Sequence, residues 1–244
     1  MNGILTDTYE RRIADRLDAI RERIERACAR SGRRSEDVAL VGVSKTFPIE
    51  AIRAATEAGL RRFGENRVQE LLPKIEALPG RYLGGEIEWH MIGHLQRNKA
   101  REVVANVDMF EALDSLRLAR ELDKRARQEG RTLRCLVEIN VSGEESKFGI
   151  KPPAAHEFLD QLASFTSLKV EGLMTIASFV EDPEEVRAEF RLMRELFDSY
   201  SASHNPVVEM KCLSMGMSND FEVAIEEGAT QVRIGSAIFG ERPY

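Results

Sequence analysis

The sequence contains only three cysteines, Cys28, Cys135 and Cys212, and no C-x-x-C pair. An odd, widely spaced set supports neither a disulfide framework nor a zinc site, and it fits a reducing compartment. Long hydrophobic runs are also missing: no stretch approaches ~18 uninterrupted apolar residues. Met1 to Arg12 carries acids and two adjacent arginines in place of an apolar signal segment. The expectation is a cytoplasmic protein that neither spans a membrane nor is exported. Net positive charge is absent too, since 35 Lys and Arg stand against 41 Asp and Glu, a balance of -6. General attraction to nucleic acid is thereby excluded, and any basic cluster acts locally on a small anion. No low-complexity segment or short-period repeat is visible.

What is present is an ordinary globular composition, 43% hydrophobic and 31% charged, over 244 residues. That length is close to the roughly 250 residues of a one-domain (β/α)8 barrel. From Tyr9 to Ser31, Ile13, Leu17, Ile20 and Ile24 recur at spacings of three and four, the stripe of an amphipathic helix that Gly32 ends. Short apolar runs then alternate with helical periodicity. The strand candidates are Val38 to Ser44, Arg61 to Gly64, Ile87 to Ile92, Val107 to Ala112, Arg134 to Val141, Lys169 to Thr175, Val208 to Ser214 and Thr230 to Ile234. Helices are predicted to begin near Ile49, Val68, Leu95, Ser115, Pro153, Pro183 and Asn219. Such alternation implies parallel pairing through crossover helices. Eight strands with seven intervening helices leave one helix slot, which the N-terminal helix fills. The fold class is therefore α/β, a single-domain (β/α)8 TIM-type barrel over residues 1–244, with an open doubly wound sheet as the alternative.

In such a barrel, chemistry sits where strands end and loops begin. Lys45 follows Val41-Gly42-Val43-Ser44, which places an amine at a strand end; it reads either as a nucleophile toward an aldehyde or as a solvated loop residue. The run Arg233-Ile234-Gly235-Ser236 turns from a strand into small residues, the form of a phosphate cradle. Leu213-Ser214-Met215-Gly216-Met217-Ser218 supplies hydroxyls on the neighbouring side, with Ser218 also read as a helix N-cap. Arg233 alone reads equally as an ion pair between barrel layers. Asn66 lies at the end of the second strand, where it can also cap a helix. His90 and His94 straddle a strand and a loop and lack the helix-face spacing of a metal site. Lys147, in the loop after the fifth strand, is the rival amine.

Six ordered motifs, Val43 to Thr46, Gly64 to Glu70, Trp89 to Lys99, Gly172 to Ile176, Leu213 to Ser218 and Val232 to Gly240, resemble the pyridoxal phosphate homeostasis proteins. These are single-domain relatives of the alanine racemase barrel, and the likeness covers nearly the whole chain. The resemblance implies pyridoxal 5'-phosphate (PLP) as cofactor, bound as a Schiff base on Lys45. It implies that Ser214, Gly235 and Ser236 hold the phosphate, that Arg233 faces the pyridine nitrogen, and that Asn66 and Met174 line the cofactor. Ser236 stands where threonine is also familiar, which keeps the hydroxyl; the basic tail of some relatives is not found after Gly240.

Two functions from different classes follow from the resemblance. The first is a monomeric, non-catalytic PLP carrier that buffers the cofactor or delivers it to apo PLP-dependent enzymes; the second is an amino-acid racemase. Racemisation needs a base on each face of the substrate carbon. Of the four tyrosines, Tyr9, Tyr82, Tyr200 and Tyr244, none falls at a predicted strand end, and Tyr244 is the one substitute. An arginine at the pyridine nitrogen also disfavours its protonation, which makes the ring a poorer electron sink. A sugar-phosphate isomerase or aldolase using Lys45 directly is a third class.

Overall fold

The computed structural model describes residues 3–78, 80–82, 85–201 and 205–241. Tyr244 lies outside them, as does the side chain of Tyr82. Eight parallel strands close a barrel: β1 (Ala39–Val43), β2 (Arg62–Glu65), β3 (Glu88–Met91), β4 (Met109–Leu113), β5 (Leu133–Glu138), β6 (Leu168–Met174), β7 (Val208–Ser214) and β8 (Gln231–Ile234). Each strand pairs with its sequence neighbours, and β8 returns to β1 with Val41 opposite Arg233 and Gly42 opposite Ile234. That last pairing excludes the open-sheet alternative. The fold is the predicted single-domain barrel.

The helices are α1 (Gly3–Arg30), α2 (Ile49–Glu57), α3 (Val68–Ala77), α4 (Ala100–Asn106), α5 (Leu116–Gln128), α6 (Ala155–Gln161), α7 (Arg187–Ser201), α8 (Phe221–Glu226) and α9 (Ser236–Phe239). Several begin later than the periodicity predicts because a 3₁₀ turn precedes them, as at Arg97–Lys99 before α4 and Pro183–Val186 before α7. A two-stranded antiparallel pair, Arg81–Tyr82 with Gly85–Glu86, precedes β3 and was not foreseen. As predicted, α1 occupies the remaining slot, packing on α2, α8 and α9. Its stripe of Ile13, Leu17, Ile20 and Ile24 is buried, while Arg21 is exposed and Arg23 lies half-buried over Phe221 of α8.

The barrel wall sets side-chain direction strictly. A Cβ built on Gly42 would meet Leu60 and Phe239 outside the barrel, whereas one on Gly64 would meet Val41 from within. Val41 and Val43 therefore point inward and Gly42 outward, the period-two alternation of a strand. Gly172 marks the closest approach between strands: at φ +147°, its Cβ would fall 1.8 Å from the Cys212 carbonyl oxygen, so β6 and β7 can meet there only through glycine.

Leu17 is fully buried under α2, α8 and α9. Leu17→Ala should therefore cost about 2–5 kcal/mol, the range for a buried leucine truncation, in urea unfolding. A loss below about 0.5 kcal/mol, typical of surface sites, would mean that α1 is not part of the core.

Candidate functional site

The carboxyl ends of the strands gather most of the predicted residues at one mouth. Ser44 turns its hydroxyl outward and donates to Glu65 Oε1 at 2.6 Å, so alternation turns Lys45 toward the barrel axis, on the face of Val41 and Val43. Lys45 is partly buried. On the adjoining strand, the pairing of Gly42 with Ile234 brings Gly235 beside Val43, and a Cβ on Gly235 would lie 3.2 Å from the Val43 carbonyl oxygen. Gly235 is the N-cap of α9, whose first residue, Ser236, is exposed. The first N–H groups of a helix have no partner within it; that of Ala237 donates to Ser218 Oγ at 3.4 Å.

Beneath the mouth lies a buried polar network. Arg233 donates through Nη1 to Ser214 Oγ at 2.6 Å and through Nη2 to the Thr175 carbonyl at 2.7 Å. Ser214 Oγ donates to Glu111 Oε2 at 2.7 Å and accepts from Gln231 Nε2 at 2.9 Å. Glu111 Oε1 receives Gln231 Nε2 at 2.9 Å and faces His90 Nδ1 at 2.5 Å. Burial alone would raise the Glu111 pKa, yet His90, Arg233 and Ser214 hold it below the usual carboxylate range. Desolvation alone would lower His90, yet Glu111 and Glu88 hold it above the ordinary imidazole value.

This network engages Ser214, one of the residues expected at the phosphate. Ser214 is fully buried, and its hydroxyl has spent its one proton and both acceptor positions. It anchors Arg233, while Ser218 is the hydroxyl beside the Gly235 turn. Ser218 is not the cap of α8, whose N-cap is Asp220, the acceptor of the Met217 N–H. Asn66 does not cap α3 either, since Arg67 holds that position. Asn66 instead borders a cavity of about 500 Å³ with Arg67, Glu70, His94 and Lys99. Met174 ends β6, fully buried, between Glu138 on β5 and Ser214 on β7. Arg233 is tied into the barrel interior by its bonds to Ser214 and the Thr175 carbonyl, near the carboxyl end of its strand.

The rival amine, Lys147, is engaged by Glu144 at 2.6 Å and the Ala177 carbonyl at 3.1 Å, which links two mouth loops. His94 pairs with Asp114 at 2.9 Å and stacks on Phe148, and among the described residues no cluster of three metal-ligating side chains exists.

Glu111 and Glu138 were missed in the sequence; the available signal was an acid inside an apolar strand run. Glu138 ends β5 and lines a cavity of about 180 Å³ with Lys147, Phe148 and Ile176. Its Oε2 is buried with no hydrogen-bond partner. Burial, helped by Asp114 and opposed by Arg233, pushes its carboxyl up to about 7. A carboxyl raised in the folded state keeps protons that the unfolded chain has released, so stability falls as pH climbs from the ordinary carboxylate range through about 7. Glu138→Gln should remove that fall. Urea unfolding should show the variant gaining on the parent by about 3 kcal/mol between pH 4 and pH 8; a difference independent of pH would contradict the assignment.

Comparison with known proteins follows the same lines. Residues 16–243 match the family described as alanine racemase, N-terminal domain. The pyridoxal phosphate homeostasis protein of Aquifex aeolicus is 47% identical over 230 residues, 94% of this chain and 98% of that protein. Its Escherichia coli K12 counterpart is 40% identical over 232 residues, 95% of this chain and 97% of that protein. Among solved structures, PipY of Synechococcus elongatus PCC7942, with PLP bound, superposes with a TM-score of 0.80 at 35% identity, covering 93% of this chain and all of that one. Alanine racemase from Clostridium difficile, at 15% identity and a TM-score of 0.68, shares the fold. The chain belongs to the family of pyridoxal phosphate homeostasis proteins, built on the alanine racemase N-terminal barrel.

Proposed function

We propose that this chain binds PLP at the barrel mouth, with Lys45 as its covalent attachment point, and that it buffers or delivers the cofactor without turning over a substrate. The observation that carries this reading is the convergence, on adjoining strands, of the inward-facing Lys45 with buried Arg233 and the Gly235-Ser236 turn. The PLP-bound relative PipY supports the choice of cofactor.

The residues present fit the group. At Gly235 a side chain would crowd the Val43 carbonyl, so an uncluttered turn is kept where a phosphate would lie. The Ser236 N–H and hydroxyl, with Ser218 Oγ, supply neutral donors there; Ser218 takes the part expected of Ser214, which acts indirectly by holding Arg233. When bound, PLP supplies an electrophilic aldehyde that a neutral amine attacks. Lys45 supplies that amine from a partly buried position at the mouth. Arg233, permanently charged and locked by two bonds, faces the pyridine nitrogen and opposes protonation there. Asn66 and Met174 flank the ring.

A carrier role follows from what these groups do. A ring kept unprotonated stabilises a carbanion poorly. Racemisation also needs a second base, and the two described tyrosine side chains, Tyr9 and Tyr200, sit on the outer helices α1 and α7, with Tyr200 bound to Asp160. Neutral donors and a single covalent tie hold a cofactor reversibly, as a cytoplasmic monomer that passes PLP to apo-enzymes requires.

Addition of PLP to the purified protein should produce the visible absorbance of an internal Schiff base, and Lys45→Ala should abolish it. A protein that stays colourless, or an unchanged spectrum in the variant, overturns the site. The carrier role is tested by incubating the loaded protein with single enantiomers of amino acids: optical purity should persist, and turnover at roughly 1 per second or faster, the enzyme range, would establish a racemase instead.

A further inference from the structure

Thr46, the residue after Lys45, has φ +68° and is the single non-glycine residue in the left-handed region among those described. For a β-branched residue that conformation is unfavourable, and it persists only where surrounding contacts impose it. The contact is explicit: the Thr46 N–H donates to Glu70 Oε2 at 2.7 Å. The residue before Lys45 is held from the same side. Ser44 donates its hydroxyl to Glu65 Oε1 at 2.6 Å, while Lys74 Nζ donates to the Ser44 carbonyl at 2.8 Å and to Glu65 Oε1 at 2.6 Å. Glu70 and Lys74 are four apart on α3, so one helical face carries both contacts. Phe47 then closes the turn onto the Ser44 carbonyl and packs against Phe239 of α9, the helix that starts at the Gly235 turn.

We propose that Glu70 is a positioning residue for Lys45. By clamping Thr46 in the left-handed conformation, against a Ser44 fixed by Glu65 and Lys74, it presets the direction in which the lysine leaves β1, and so the position of the amine before the aldehyde arrives. The inference rests on Lys45 being the attachment point. Its consequence is selective: Glu70 controls the covalent step, because its bond goes to the Thr46 N–H, whereas the phosphate donors come from the turns after β7 and β8 and Arg233 comes from β8.

The test compares PLP with pyridoxine 5'-phosphate, which carries the same phosphate and ring but an alcohol in place of the aldehyde. In Glu70→Ala, stopped-flow absorbance should show Schiff-base formation slowed about tenfold, a modest part of what misplacing a reacting group by 1 Å can cost. Pyridoxine 5'-phosphate affinity, by calorimetry, should change less than about twofold, well inside the tenfold that 1.4 kcal/mol represents. Glu70→Gln, which keeps a carbonyl acceptor, should react like the parent. Thr46→Gly in the Glu70→Ala background should recover most of the rate, since glycine enters the left-handed region freely. Unchanged kinetics in Glu70→Ala, or equal weakening toward both ligands, would overturn the positioning role while leaving Lys45 in place. A parent protein that forms no Schiff base would instead overturn the attachment site itself.

Discussion

Burying a guanidinium inside a barrel is affordable only if its charge and donors are met on the spot, and the arrangement of this mouth follows from that requirement. Arg233 is almost fully buried. Ser214 and the Thr175 carbonyl accept from it, and Glu111 balances its charge one hydroxyl away. The pKa of Glu111 is in turn held down by His90, Arg233 and Ser214, and Gln231 donates to it as well. Four side chains from β3, β4, β7 and β8 thus fix one cation at one height in the barrel. Remove Glu111 and the guanidinium would lack its counter-charge; remove Ser214 and the two would lose their link.

The upper layer is organised differently. Lys45 is directed by the backbone on either side of it, through bonds that come from outside the barrel wall, from β2 and α3. Period-two alternation makes this division necessary: residues facing the helices can be gripped there, and residues between them are presented to the axis. An ion pair of Lys74 with Glu65, buried between β2 and α3, therefore helps to set the backbone that leads into Lys45. In Glu65 burial raises the carboxyl's pKa, against the pull of Lys74 and Ser44, so this grip depends on the lysine staying in place.

The architecture was legible because its signals are local. Eight apolar runs, the helical periodicity between them and the stripe of α1 each report a single element, and parallel pairing follows from their alternation, while the pairing of β8 with β1 settles the closure. The placement of Lys45, Gly235 and Arg233 at one mouth was legible because each lies at or near a predicted strand end. What escaped was long-range or directional. Nothing in Leu213-Ser214-Met215 says which way the Ser214 hydroxyl points, and only the pairing with β8 and the distant Glu111 directs it to the interior. Ser218 looked like a cap because the start of α8 moves two residues later than its sequence suggests. The left-handed Thr46 leaves no trace in composition, since threonine is a poor residue for it, and Glu70 looks like one more solvated helix charge.

The central claim is that the cofactor's attachment point is Lys45. Its most direct test is to load the protein with PLP, reduce it with borohydride so that the Schiff base becomes a stable amine, and map the modified peptide by mass spectrometry. The account predicts one pyridoxyl group, on the peptide containing Lys45, with Lys74 and Lys147 unmodified. A label on Lys147, or one spread over surface lysines, would contradict it.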